Sequence, residues 1–479
     1  MYAFFEALAG RANIRGAETA LVSAAGTVSY AQLIERVRGH AQWARPLPSR
    51  VGLLFSKGPE QILADLALSF AGKELVPLPD FFSDAQIRHI IHATHLSEIV
   101  ADPQNLERAA RLGVKVHTLA TAVLPSHGPA DDAGRIIFTS GTTGKPKGVC
   151  LRGAQLLASV AALAKASGAV SSDRYLSVLP SALLLEQIAG MYLPLSVGAM
   201  ICVSGGGQQG EVGAALARAA VQAKPTATVL VPELLGAWLR ELQVSGQRAP
   251  QSLRFVAVGG APVSRTFADA AWGQGLPIYE GYGLSECSSV VALNTPGARR
   301  PGAVGKPLPN VQLTIENGEI AVNGPTLMDG YIGETPRQGP WHTGDLGRFD
   351  EDGFLWVSGR KDNVIVTAAG RNINPEWVEE QLTTDTRIKR CVVVEHEREL
   401  VALVIPHDSS LCRDAPAMHD LVKWAARELP EYAKPRRYLP MSDLEFRDLD
   451  LLTATARPRR PETKRIVHER SRSFLVQLA

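Results

Sequence analysis

The chain has 479 residues, 45% of them apolar and 20% charged, and a formal net charge of +2. That length exceeds one hydrophobic core of ordinary size, so two or more domains are expected. The near-neutral balance gives no electrostatic case for nucleic acid or a membrane surface as partner.

In chain order, residues 1–16 lack a basic run ahead of their apolar residues and carry Glu6, a poor secretion signal. The cytoplasm is therefore the expected location. The five cysteines (Cys150, Cys202, Cys287, Cys391, Cys412) are odd in number and show no CxxC spacing. They argue for a reducing compartment and against a disulfide framework or a zinc site. "SYAQLIERVRGHAQWA" (29–44) has helical spacing, with Ser29 as its cap. "RVGLLF" (50–55) reads as a buried strand, and "PEQILADLALSFAG" (59–72) as a helix that starts on Pro59 and stops at Gly72. "RHIIHATH" sets His89 and His92 one helical turn apart, as a metal pair would be, but no third ligand lies near in sequence, and metal is the disfavoured reading. The apolar stretch 188–203 is too short for a membrane span and contains Pro194, so a buried helix running into a strand is expected. "TATVLVP" (226–232) and "LRFVAVGG" (253–260) read as further buried strands. Strands alternating with helices imply α/β layers on a parallel sheet.

Beyond residue 311 the pattern changes. "VQLTIENGEIAVNG" reads as a hairpin around Asn317-Gly318, and "LGRFDEDGFLWVSGR" as another turning at Asp352-Gly353. A small α/β pattern follows: a helix capped by Asn374 with Pro375 at its first position, strands at "RCVVVEH" and "LVALVIP", and a helix at "MHDLVKWAAREL". A domain boundary is placed near residue 361.

Four segments carry chemistry. "TSGTTGKPKG" (139–148) frees backbone N–H groups to cradle phosphate oxygens, with hydroxyls from Thr139, Ser140, Thr142 and Thr143 and charge from Lys147. It is not the usual triphosphatase loop: two residues separate Gly141 from Gly144, and Pro146 follows Lys145. In "YEGYGLSECSS" (279–289), Tyr282 sits between Gly281 and Gly283, where its ring can lie against a flat ligand. Glu286 can hold a divalent cation beside phosphates. Taken alone, this segment reads equally well as a turn with a core aromatic. Asp345 in "WHTGDLG" can take both hydroxyls of a ribose, and Arg360 in "SGRKDNVI" can reach ribose or phosphate. Each alone reads more simply as a solvated turn or a charged linker.

In this order the four segments resemble the adenylate-forming (AMP-binding) superfamily: acyl- and aryl-CoA synthetases, luciferases and peptide-synthetase adenylation domains. The resemblance runs from "ETALVSAAGTVSYAQL" to "LPEYAKPRRYLP", and "GRNINPEWVE" is most similar to the acyl-CoA synthetase branch. It implies an α/β fold. A large N-terminal domain (1–361) of layered subdomains plus a small β-barrel-like part would precede a small mobile α/β domain (362–479), hinged at Asp362. It implies ATP, Mg²⁺ and CoA: a carboxylate attacks the α-phosphorus, pyrophosphate leaves, and a thiol then takes the acyl group from the adenylate. Carried over by residue, Thr139, Ser140, Gly141, Thr142, Thr143, Gly144 and Lys147 hold the β- and γ-phosphates. Gly260, Ala261, Pro262, Glu280, Gly281, Tyr282 and Gly283 surround adenine, Ser285 touches the α-phosphate, and Glu286 contacts the metal. Asp345 and Arg360 hold the ribose, Gly370 and Arg371 face the thiol, and Ala182, Leu183 and Gly281 shape the acid pocket.

Two departures stand out. The family's catalytic Lys lies in a Thr-x-x-Gly-Lys motif, but here "TATARPRR" places Ala456 and Arg457 at the Gly and Lys positions. Arg keeps the charge but offers a planar fork rather than a compact point. Arg457 is the expected substitute and Lys464 the alternative. Within "LPSALLLEQIAG", many relatives carry a His or bulky aromatic where this chain has Ser181, Ala182 and Leu183. That points to an apolar acyl or aryl acid. A carrier protein's phosphopantetheine, loaded in trans, is the rival acceptor, and the basic stretch "RPRRPETKRIVHERSRS" suits it. A degenerate, nucleotide-binding homologue is the remaining alternative.

Overall fold

Helix Tyr30–Ala44 begins on a complete capping box: Ser29 Oγ accepts from Gln32 N–H while the Gln32 amide accepts from Ser29 N–H. It buries Tyr30, Leu33, Ile34, Val37, Ala41 and Ala44, one face at helical spacing. This helix belongs to a computed structural model that describes residues 1–121, 128–130, 133–139, 146–204, 212–366, 371–453, 457–471 and 475–478. The chain divides into two compact units. The first is Met1–Ala261, Asp269–Leu313 and Val322–Trp341; the second is Pro262–Ala268, Thr314–Ala321 and His342–Ala479.

The first unit carries two large mixed sheets. The nine-stranded one runs, edge to edge, Lys306–Pro307, Ser289–Leu293, Ile278–Leu284, Phe255–Val258, Ala227–Leu230, Arg174–Ser177, Met200–Val203, Thr19–Ser23 and Gly26–Ser29. Its interior pairs are parallel and its edges antiparallel. The seven-stranded sheet runs Gly330–Tyr331, Lys147–Arg152, Gly134–Thr139, Glu74–Pro77, Arg50–Leu54, Glu98–Ala101 and Lys115–His117. The α/β class read from the alternation is the one observed.

Helix Pro59–Phe70 starts on the expected proline, and the chain leaves it at Gly72 with φ +75°. Every residue from Gln61 to Phe70 is buried, including Asp65. A buried carboxylate needs partners. Arg135, 1% exposed on strand Gly134–Thr139, meets it with two contacts of 3.2 Å. Tyr192 donates to Asp65 Oδ1 at 2.7 Å and accepts from Arg135 at 2.9 Å. One ionic network therefore fastens the strand that leads into the glycine-rich loop.

The expected buried helix at 188–203 departs from plain α geometry. Glu186–Tyr192 is a π-helix, continued by α-helix Leu193–Val197; Gly198 turns the chain at φ +83° into strand Met200–Val203. The wide turn ends just before Pro194, which has no N–H to continue the ladder. The candidate metal pair is not supported. Among the described residues no group of His, Cys, Asp or Glu is placed to hold a metal. His89 instead hydrogen-bonds Pro146 C=O at 3.2 Å and packs edge-on to Phe138. All five cysteines are free, and no described helix is long and apolar enough to cross a membrane.

The second unit holds the interior of a four-stranded sheet (Gln312–Glu316, Glu319–Asn323, Trp341–Phe349, Leu355–Arg360). Asn317 and Gly318 both take positive φ at its first turn, as a tight hairpin requires. A second four-stranded sheet (Ile388–His396, Glu399–Pro406, Arg437–Pro440, Val476–Gln477) is covered on both faces. Val393, Ala402 and Val404 pack toward helices Pro375–Leu382 and Ala415–Ala425. Val392, Leu403 and Ile405 pack toward Phe446 and Ile466. One sequence expectation is met in position and another needs correction. Asn374 occupies the N-cap, but its side chain accepts no first-turn N–H; its Cβ and Cγ lie against Gly359 instead. The helix expected at 418–429 is Ala415–Ala425, because Asp414 caps it through Ala417 N–H.

Candidate active site

Strands Gly134–Thr139 and Lys147–Arg152 pair antiparallel with Thr139 opposite Lys147. The two residues therefore form the base of the glycine-rich loop. Ser140, Gly141, Thr142, Thr143 and Gly144 lie outside the described residues. Gly148 is required at the base, since a Cβ there would come within 2.9 Å of Ile332, Ile136 and Phe138. Lys147 Nζ lies 3.2 Å from Glu334 and 4.7 Å from the centre of the Tyr331 ring. The Tyr331 hydroxyl donates to Glu286 Oε1 at 2.8 Å. Glu286 sits in the 3-10 turn Ser285–Cys287 that ends strand Ile278–Leu284, and Met328 N–H donates to its carbonyl. A cation from the loop and the proposed metal carboxylate thus converge on one tyrosine. Sequence reading missed Tyr331 because it lies 45 residues from Glu286 and has no motif of its own.

On strand Ile278–Leu284, Gly283 has no room for a side chain: a Cβ would sit 1.8 Å from Ser289 C=O. Tyr282 and Ser285 are half-buried. Glu280 is 4% exposed. Its Oε2 accepts from Asn294 at 3.1 Å, while Oε1 has no hydrogen-bond partner among the described residues. Burial raises the pKa of this carboxyl. An orphaned buried acceptor is the kind of group a ligand's N–H completes. Gly260 (φ +89°) and Ala261 are exposed after strand Phe255–Val258; Pro262 falls with the second unit.

An apolar cavity of about 60 Å³ lies between the helical segment 185–197 and the nine-stranded sheet. Leu185, Ala189 and Leu193 form one wall, and Val229, Ala257 and Leu293 are among the residues opposite. A Cβ on Gly281 would meet the lining residue Leu293 at 3.0 Å, but Gly281 does not itself line the cavity. Ala182 and Leu183 do not line it; the Ala182 carbonyl accepts from Gln187. The wall residues recur every fourth position from 185, a helical stripe that could have been followed further along the sequence.

In the second unit, Asp345 and Arg360 are register partners across a hairpin. Arg360 donates to Asp345 Oδ1 at 3.0 Å and to Thr343 C=O at 2.8 Å. Gly344 (φ +74°) leaves space for the guanidinium, which a Cβ would approach to 2.8 Å. Gly344 N–H reaches Glu319, which also pairs with Lys361 at 2.9 Å. Asp362 is exposed in the 3-10 turn Lys361–Asn363. Gly370 lies outside the described residues, and the Arg371 guanidinium lies 4.8 Å from the centre of the Tyr432 ring. Arg457 and Thr453 close a turn: Thr453 N–H donates to Arg457 C=O at 2.8 Å, and Arg457 N–H to Thr453 Oγ1 at 3.0 Å. Arg457 is exposed. Lys464 is ion-paired with Glu395 at 2.5 Å, which holds that carboxyl below its usual range.

The pattern that defines the AMP-binding enzymes matches residues 8–332. The chain belongs to the AMP-binding enzyme family. Among curated members, a 2-succinylbenzoate–CoA ligase of Bacillus mycoides is 26% identical over 467 residues, covering 91% of this chain and 94% of the relative. A long-chain-fatty-acid–CoA ligase of Mycobacterium bovis is 29% identical over 431 residues, covering 73% and 71%. Among solved AMP-binding enzymes, an anthranilate CoA ligase in complex with anthranoyl-AMP superposes with a TM-score of 0.85 at 19% identity, covering 98% of both chains. The o-succinylbenzoate CoA synthetase of Bacillus subtilis with its acyl-adenylate gives 0.82 at 23%, covering 96% and 97%. At these identities the superpositions speak to the fold.

Proposed function

We propose that this AMP-binding enzyme is an ATP-dependent acid–thiol ligase. A carboxylate oxygen attacks the α-phosphorus of ATP and pyrophosphate leaves. A thiol then attacks the acyl carbon of the adenylate, giving a thioester and AMP. The observation that carries the reading is the convergence of Lys147 and Glu286 on Tyr331, a cation and a carboxylate held together beside a glycine-rich loop. Such a pair suits phosphate oxygens and the Mg²⁺ that accompanies them. Bound there, Mg²⁺ would supply charge neutralisation to the phosphates, with Glu286 as its protein ligand.

Each side chain has an assignment. Thr139 and the loop 140–144 hold the β- and γ-phosphates with Lys147. Glu280 Oε1, an acceptor lacking a partner among the described residues, takes the adenine amino group beside Tyr282. Ser285 contacts the α-phosphate. Asp345, oriented by Arg360, binds the ribose hydroxyls. Arg457 bridges the carboxylate and the α-phosphate in place of the family lysine, whose motif position it holds, and Lys464 is the alternative. Asp362 is the hinge of the C-terminal part, 362–479, and Gly370 and Arg371 lie on the thiol side. CoA is the acceptor, as the names of the relatives suggest, and a carrier protein's phosphopantetheine is the rival. Free cysteines suit the cytoplasm as the place of work.

Acid-dependent exchange of labelled pyrophosphate into ATP tests the first half-reaction. Exchange with one class of acids supports the ligase. Nucleotide binding without exchange for any acid would favour the degenerate homologue. Thioester formation with free CoA, compared with a phosphopantetheinylated carrier, then separates the two acceptors.

A further inference from the structure

Asp345 and Arg360 face each other across a hairpin, but the residue beside each of them is held from a third strand. Glu319 opens strand Glu319–Asn323 and is 8% exposed. Its Oε1 accepts from Gly344 N–H at 2.8 Å, and its Oε2 accepts from Lys361 Nζ at 2.9 Å. Gly344 precedes Asp345 and Lys361 follows Arg360. One carboxylate therefore holds the neighbours of both residues assigned to the ribose. The next residue on the strand extends the hold: Thr343 Oγ1 donates to Ile320 C=O at 2.9 Å and accepts from Asp345 N–H at 3.1 Å. Gly344 has positive φ and no side chain of its own to fix it, so its N–H is the group by which the main chain ahead of Asp345 can be anchored. The hydrogen bond from Lys361 holds the Glu319 carboxyl below its usual range. The Gly344 N–H thus donates to a charged acceptor, which is the stronger kind of hydrogen bond.

We propose, resting on the ribose assignment in the ligase reading, that Glu319 is a positioning residue for the ribose: by fixing Gly344 and Lys361 it aims the Asp345 carboxylate at the ribose hydroxyls. The two contacts are unequal. Losing Glu319 leaves the Gly344 N–H without its acceptor beside a buried site, which is costly. The Lys361 side chain is 59% exposed, and an ion pair so placed contributes little. Both contacts lie ahead of Asp362 in the chain. A lid turning about Asp362 leaves them intact, so the same hold serves ATP in the first half-reaction and AMP after the second.

The test is calorimetric titration of AMP and 2′-deoxy-AMP against the parent enzyme, Glu319→Ala, Glu319→Asp, Glu319→Gln and Lys361→Met, with pyrophosphate exchange and melting temperature alongside. Glu319→Ala should weaken AMP about tenfold and raise KM for ATP by a similar factor, with the smaller change in kcat. The preference for AMP over 2′-deoxy-AMP should shrink about threefold or more, a change that a merely structural carboxylate would not produce. Glu319→Gln, whose amide oxygen can still accept from Gly344, should recover most of the affinity. Lys361→Met should weaken AMP only about two- to threefold. Glu319→Asp keeps the charge but draws the oxygens back by one carbon–carbon bond of ~1.5 Å. It should show the same loss of discrimination on a smaller scale, and it decides the matter if Glu319→Ala does not fold. Equal weakening of both nucleotides in a folded variant overturns the proposal, as does a parental preference for AMP. A parent that does not distinguish AMP from 2′-deoxy-AMP ends the ribose assignment and the proposal with it. Exchange with no acid, from a parent that binds AMP, ends the ligase reading and leaves Glu319 to be judged by the two titrations.

Discussion

Tyr331→Phe isolates one oxygen atom. The phenylalanine ring keeps the place beneath Lys147, 4.7 Å from its ammonium, and the edge contact with Trp341 at 5.8 Å. What disappears is the 2.8 Å hydrogen bond to Glu286 Oε1. A hydrogen bond to a charged group contributes about 1.5–3 kcal/mol. If Glu286 holds Mg²⁺ in the transition state, much of that energy orients a catalytic ligand, and about 10- to 100-fold is lost from kcat/KM for MgATP. Folding should suffer little, because the hydroxyl is only half-buried and Glu286 can turn toward solvent. The assay is acid-dependent pyrophosphate exchange at several Mg²⁺ concentrations, with the melting temperature as control. The expected result is a weaker apparent Mg²⁺ affinity and a lower maximal rate at near-parental stability. Parental rates with an unchanged Mg²⁺ dependence would refute the role given to the Tyr331–Glu286 pair.

Asp345→Asn keeps the shape of the side chain but removes the charge that Arg360 partners; KM for ATP should rise roughly tenfold, and steady-state kinetics with the ribose-modified 2′-deoxy-ATP should show a smaller difference between variant and parent. Arg457→Ala should cut adenylation by about 10²–10³-fold, while Lys464→Ala, which loses only a surface ion pair, should leave exchange within about twofold; the reverse ranking would transfer the catalytic role to Lys464. Burial lowers Lys57 to about 8, with Glu186 facing it, although its ordinary value is 10.5. Below pH 8 both folded and unfolded chains hold that proton and the fold bears the burial penalty; between pH 8 and 10.5 the unfolded chain binds more protons, so stability from this group rises with pH. The melting-temperature difference between Lys57→Met and the parent should therefore fall across that window, and a flat difference would count against a buried, depressed Lys57.

Local geometry was legible where a few contiguous residues set it. Ser29, Pro59 and the Asn317-Gly318 turn each declare their geometry within a few residues, and the structure places them as expected. Asp345 and Arg360, both proposed for the ribose, come together because both lie on one hairpin. What escaped depends on residues far apart in the chain. Tyr331 reaches Glu286 only because strand Gly330–Tyr331 pairs with Lys147–Arg152. The cavity arises where a helical segment crosses four strands, and no single segment encodes it. Asn374 shows the converse, a correct cap position whose side chain was claimed by packing. The same distinction bears on the lysine-to-arginine change. The segments proposed to bind nucleotide keep the family's motif residues, whereas Arg457 sits on a turn that its backbone closes with Thr453. An arginine keeps the positive charge of the family's lysine on a longer side chain with a planar fork, so the role proposed for Arg457 needs only that charge to reach the α-phosphate.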